Sequence, residues 1–166
     1  MKINESGYAA MMYDALRLRE TAAKLAQYLP ELMQQTGATA VAVTGKSGIA
    51  LAFATLMLLD FPLIVVRKRG ENSHGAPIEG TPGSVQRYLI LDDFVASGDT
   101  VARIIGELEQ YAEMRDELEP KCVGVLQYQC TEPIGAMPDR VLRLHQGTAE
   151  PEWHTYPLYS MPHTEG

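Results

Sequence analysis

Short apolar runs alternate with amphipathic stretches along this chain, and each run hands over at its C-terminal end to glycines, hydroxyls and charges. Residues 38–43, 63–66 and 88–91 are too short for helices and rich in β-branched or bulky apolar side chains, so each is expected as a buried strand. Strands separated by helices build a parallel sheet covered on both faces, because a parallel crossover needs a dozen or more residues and a helix supplies them. In such sheets ligands bind beyond the C-terminal ends of the strands. The alternation therefore selects an α/β fold and also says where its chemistry should lie.

Tyr8, Met12, Ala15, Ala22, Leu25, Leu29 and Leu32 recur every three or four positions, so the chain opens in an amphipathic helix that Pro30 kinks or restarts and Gly37 ends. Residues 49–59 are apolar almost throughout and read as a buried core helix. Val101, Ile104, Ile105, Leu108 and Tyr111 mark the inner face of another helix, starting near Asp99. Residues 122–128 and 141–144 are further strand candidates, residues 67–86 form a long flexible loop, and the Pro- and aromatic-rich tail 151–162 is expected to be irregular. The expected architecture is one α/β domain over residues 1–166, with a central parallel sheet of about five strands flanked by helices.

A net charge of −7 opposes general attraction to nucleic acid or anionic lipid, so any anion site must be local. No apolar stretch approaches the roughly 18 residues of a membrane span. Nucleic acid and membrane are thus not expected as partners. Cys122 and Cys130 lack the paired spacing of a zinc site, and the N-terminus lacks the basic-then-apolar pattern of a signal peptide. Both thiols read as small apolar groups, and the cytoplasm is the expected location.

The sharpest chemistry lies in residues 88–100, Tyr-Leu-Ile-Leu-Asp-Asp-Phe-Val-Ala-Ser-Gly-Asp-Thr. A buried strand delivers Asp92 and Asp93 to its end, and a turn of small residues then opens a helix. Free N–H groups at that helix start, with the Ser97 and Thr100 hydroxyls, make an anion pocket, while the acid pair suits sugar hydroxyls or a magnesium shell. One end for phosphate and one for a polyol together describe a ribose 5-phosphate. These residues resemble the 5-phosphoribosyl 1-diphosphate (PRPP) motif of the type I phosphoribosyltransferases. The resemblance implies that family's fold, with a small hood and a long flexible loop, and a single activity: transfer of the phosphoribosyl group of PRPP to a nucleobase, with magnesium as cofactor and release of diphosphate. Asp92 and Asp93 would hold the ribose hydroxyls, directly or through water and magnesium, and Ala96, Ser97, Gly98, Asp99 and Thr100 would wrap the 5-phosphate. Asp99 stands where the family often has glycine.

Two other loops extend the likeness. Thr44-Gly45-Lys46-Ser47-Gly48 contains Gly-Lys-Ser but is not a P-loop, which requires a glycine where Ala40 stands. It resembles the family's diphosphate loop, in which Lys46, Ser47 and Gly48 would face the leaving group. Arg67-Lys68-Arg69, followed by His74-Gly75 and Glu79-Gly80, resembles the catalytic loop of orotate phosphoribosyltransferases, although Glu71, Asn72 and Ser73 occupy the stretch in which those enzymes carry a further lysine. By this resemblance Arg67 and Lys68, with Asp92 and Asp93, are the catalytic candidates, and Arg69 and His74 belong to the flexible loop. The base stays open between orotate and an adenine or xanthine type. The hood would come from residues 1–13 or from the tail around Trp153, His154, Tyr156 and Tyr159, and a homodimer is expected. The alternative on the same fold is a non-catalytic PRPP or nucleotide sensor.

Overall fold

The computed structural model describes residues 14–68, 77–81, 85–93, 95, 98–115, 117, 120–128, 141–143, 152–154 and 156–161. Helix α1 (Ala15–Thr36) is started by the Asp14 carboxylate, which accepts from the N–H groups of Leu16 and Arg17, both at 3.1 Å. It runs through Pro30 without restarting. Strand β1 (Ala40–Val43) leads into α2 (Gly45–Leu56), and β2 (Leu63–Val66) is followed by β3 (Ile78–Gly80) and β4 (Arg87–Asp92). Helix α3 (Asp99–Met114) connects to β5 (Lys121–Gln127), and the tail contributes β6 (Val141–Arg143), β7 (Glu152–His154) and β8 (Leu158–Ser160).

The main sheet has the order β3-β2-β1-β4-β5-β8. All its pairings are parallel except β2 with β3. Side chains of β1 alternate across it. Val41 and Val43 join Leu25, Leu29, Leu32 and Leu51 of α1 and α2 on one face, and Ala40 and Ala42 join Val101, Ile104, Ile105 and Leu108 of α3 on the other. Both faces are covered, as a parallel sheet requires.

The expected sheet of about five strands is present with six, both edges being filled from segments read as loop and irregular tail. On one edge, β3 arises inside the stretch expected to be loop. On the other, residues 158–160 pair in parallel with β5, a position in which the preceding Pro157 gives up no ladder hydrogen bond because it precedes the strand. The strand expected at residues 141–144 lies outside this sheet and pairs antiparallel with β7. Helix α2 begins a turn earlier than its apolar run, because the first-turn N–H groups have no helical partners and polar residues are at home there. It is also buried on one face only: Leu51, Ala52 and Thr55 face the core, while Phe53, Met57 and Leu58 are exposed around its C-terminal end.

Edge strand β3 lies so close to β2 that a side chain at Gly80 would run into the Leu63 carbonyl oxygen, a backbone atom. Gly80→Ala is therefore expected to cost about 2 kcal/mol, as overpacking against an unyielding neighbour does. Chemical denaturation measures it, and an unchanged midpoint would show that β3 shifts freely.

Candidate active site

The C-terminal ends of β1, β2 and β4 lie side by side and carry the three loops. At β1, Thr44 turns the chain and buried Thr44 Oγ1 donates to the Val66 carbonyl at 2.7 Å, tying the end of β1 to the end of β2. Gly45 then takes φ 69°, a left-handed conformation open to glycine at little strain, and starts α2. Lys46, exposed, and Ser47, half-buried, stand in its first turn, and Gly48 is packed 3.6 Å under the Leu91 carbonyl of β4, measured from the Cβ it lacks.

At β2, the two basic residues diverge. Lys68 lies over the first loop: its Nζ is 3.6 Å from the point a Gly45 Cβ would occupy. Arg67 turns the other way, its guanidinium donating to Glu79 Oε1 of β3 at 2.6 Å, while its N–H donates to the Pro77 carbonyl at 2.9 Å. Arg69 and His74 lie outside the described residues.

At β4, the Asp93 N–H donates to Asp92 Oδ1 at 3.0 Å, and Ser47 Oγ sits 3.5 Å from Asp93 Oδ2, so the first loop touches the acid pair. Burial pushes the Asp92 carboxyl up to about 7, and the adjacent Asp93 charge adds to the shift, while Arg103 pulls weakly the other way. Two carboxylates crowded at a strand end in this way gain from a cation placed between or beside them. Hard oxygen donors in this number suit magnesium, which keeps most of its water and takes one or two carboxylates together with substrate phosphates. Beyond the pair, Gly98 caps α3 with φ 84° and contributes no side chain to its first turn, where the N–H groups point along the helix axis toward the acids' end of the sheet. Asp99 is exposed and Thr100 half-buried in that first turn. Ala96 and Ser97 lie outside the described residues.

Several residues that shape this site carry no signal in the sequence. Gln127 is fully buried at the end of β5, and its Oε1 accepts from the Val95 N–H at 2.8 Å, so it holds the turn between the acids and α3. Tyr128 follows it, with its N–H on the Asp92 carbonyl at 3.2 Å and its buried hydroxyl beside Ser47 and the acids, where burial pushes its pKa up. Arg103 reaches from α3 to Thr44 and Arg67. Gln127→Leu should leave the Val95 N–H without that acceptor and cost about 2 kcal/mol, readable as a lowered Tm. Equal stability would mean that the turn finds another acceptor. Of the aromatic residues proposed for a hood, Tyr156 and Tyr159 pack against the core, the latter over Gly124. The side chains of Trp153 and His154 and residues 1–13 lie outside what is described.

Solved structures share this fold. An orotate phosphoribosyltransferase from Francisella tularensis superposes over 92% of this chain and 69% of its own, with a TM-score of 0.56 at 14% identity. Leishmania donovani UMP synthase matches 73% of this chain and 24% of its own, with a TM-score of 0.51 at 21% identity. This is the phosphoribosyltransferase fold. In sequence, the chain is 30% identical over 89 residues to the orotate phosphoribosyltransferase of Listeria monocytogenes, a match covering 52% of this chain. The chain spans less than half of that relative, 43% of its length. No protein-family model matches. The phosphoribosyltransferase likeness and the α/β class read from the sequence both hold, and no helix among the described residues is long and apolar enough to cross a membrane.

Proposed function

We propose that this chain is a nucleobase phosphoribosyltransferase that takes PRPP and magnesium, with orotate as the acceptor base. The observation that carries the reading is the convergence of three elements at one sheet end: the Asp92 and Asp93 pair, the glycine-started N-terminus of α3, and Lys68 lying over the Gly45 turn. Together they offer partners for each charged or polar part of PRPP. The 5-phosphate goes to the N–H groups at Gly98, Asp99 and Thr100, the ribose hydroxyls to the acids, and the diphosphate to Lys46, Ser47 and Lys68.

In the reaction, the bond from ribose C1 to diphosphate oxygen breaks, a bond from C1 to a base nitrogen forms, and the proton of that nitrogen is released to the departing diphosphate or to water. Negative charge gathers on the departing diphosphate while the ribose becomes oxocarbenium-like, so preset cations and N–H donors at the diphosphate lower the barrier. Lys68 and Lys46 supply them, and Arg67 adds a charge shared with Glu79. Magnesium, held by Asp92 and Asp93 directly or through water, would neutralise further diphosphate charge. The acids also carry opposite charge close to the cationic ribose as it forms. Orotate is favoured by the Arg67-Lys68, His74-Gly75 and Glu79-Gly80 pattern and by the relative from Listeria monocytogenes. The second reading is a PRPP sensor, favoured by Glu71, Asn72 and Ser73 where a lysine is expected.

A panel of orotate, uracil, adenine, guanine, hypoxanthine and xanthine, incubated with PRPP and magnesium, tests both. Diphosphate release with orotidine monophosphate as product is expected. PRPP binding without product from any base would establish the sensor. An absence of PRPP binding would remove both readings.

A further inference from the structure

Arg103 is a cation placed among apolar residues on the sheet-facing side of α3, and nothing in the proposed chemistry calls for it. Its guanidinium is half-buried and reaches beneath the strand ends rather than into solvent. Nη2 donates to Thr44 Oγ1 at 2.8 Å, and Nη1 donates to the Arg67 carbonyl at 3.2 Å. Thr44 in turn donates to the Val66 carbonyl. One planar group thus closes a ring through the end of β1, the end of β2 and the body of α3.

The two residues it grips stand one position before the parts that matter. Thr44 precedes Gly45 and Lys46, and Arg67 precedes Lys68. The separation of the two loops, and hence the seat of the Lys68 ammonium over Gly45, follows from the positions of Thr44 and the Arg67 backbone. A forked donor suits this task because it meets two acceptors in fixed geometry, which an ammonium on a flexible stem does not.

We infer that Arg103 is a positioning residue for the diphosphate end of the site: it sets the gap between the first and second loops so that Lys46 and Lys68 face one ligand. The inference rests on the proposed function and deepens it. Without Arg103 the acids and the α3 N-terminus keep Tyr128 and Gln127 as hydrogen-bonded supports and Asp92 loses only the weak attraction of the Arg103 charge, so the ribose 5-phosphate end changes less than the diphosphate end, which loosens.

Calorimetric titration of Arg103→Met, Arg103→Lys and Thr44→Val with ribose 5-phosphate and, separately, with magnesium diphosphate reads this split. Arg103→Met is expected to keep ribose 5-phosphate affinity within about threefold and to lose about tenfold or more in diphosphate affinity, the scale of a charge-assisted contact. Arg103→Lys should fall between, because it reaches one acceptor. Thr44→Val, near-isosteric and cut at the other end of the same bond, should repeat the pattern, and serves if Arg103→Met does not fold. In turnover the loss should fall on kcat more than on KM. Equal weakening of both ligands, or of neither, would overturn the inference and leave the proposed function standing. If the unaltered protein binds neither ligand, the proposed function fails first and the inference with it.

Discussion

Asp92→Asn combined with Asp93→Asn is expected to lower PRPP affinity by about 10²-fold or more while the sheet stays folded, since two proposed charge-assisted partners of the sugar and magnesium are removed at once. Titration calorimetry with magnesium present measures it, and unchanged affinity would displace the ribose site from β4. The same carboxylates give a signature in the empty protein that needs no substrate. Asp92 is held near 7 in the fold, against roughly 4 in an unfolded chain, so the folded state binds the extra proton between those values. The stability this proton contributes is fully present below about pH 4 and is lost as the pH rises through 7. At pH 8 the ionised pair is buried at a cost, and Asp92→Asn should therefore stabilise the empty protein by on the order of 2 kcal/mol. Thermal melts at pH 5 and pH 8 test the sign: an Asn variant less stable than the unaltered protein at pH 8 would contradict it.

Lys68→Ala is expected to reduce kcat by about 10²-fold with a smaller loss of PRPP affinity, the effect of deleting a donor aimed at charge that grows during reaction. Arg67→Ala should reduce kcat less, because the Arg67 guanidinium is already engaged by Glu79 and its removal acts through the β2 to β3 edge. Steady-state kinetics on both variants separates the two basic residues. Equal losses would mean that Arg67 exchanges Glu79 for the diphosphate during turnover.

The layout of the site was legible because its residues interrupt patterns. Asp92 and Asp93 end an apolar run, Gly98 precedes a helix start, and Lys46 and Lys68 stand within three residues of a strand's end. Arg103 and Gln127 interrupt nothing visible. Nothing around Arg103 in the sequence points to a partner, and the two it has are 59 and 36 residues away. Gln127 ends an apolar strand as an ordinary polar residue would, and only the fold brings Val95, 32 residues away, to its amide. Edge strands were missed for a related reason. Each of β3 and β8 is three residues long, and each is specified by the strand beside it rather than by its own periodicity. The start of α2 was hidden because a helix's first turn, offering its N–H groups outward, is composed like a loop.

The two alanines of β1 on the α3 face carry a consequence beyond packing. Ala40 and Ala42 are fully buried and belong to the same core as Val101, Ile104 and Ile105. They set how closely α3 rests on the sheet, and α3 bears both the terminus proposed to bind phosphate and Arg103. An added methyl group at either alanine would lift the helix like a shim, moving phosphate seat and clamp together. On the proposed function, ligand selectivity is thus partly a property of interior volume, and a lineage that drifted in those two small residues would retune the candidate site without touching any group proposed to meet substrate.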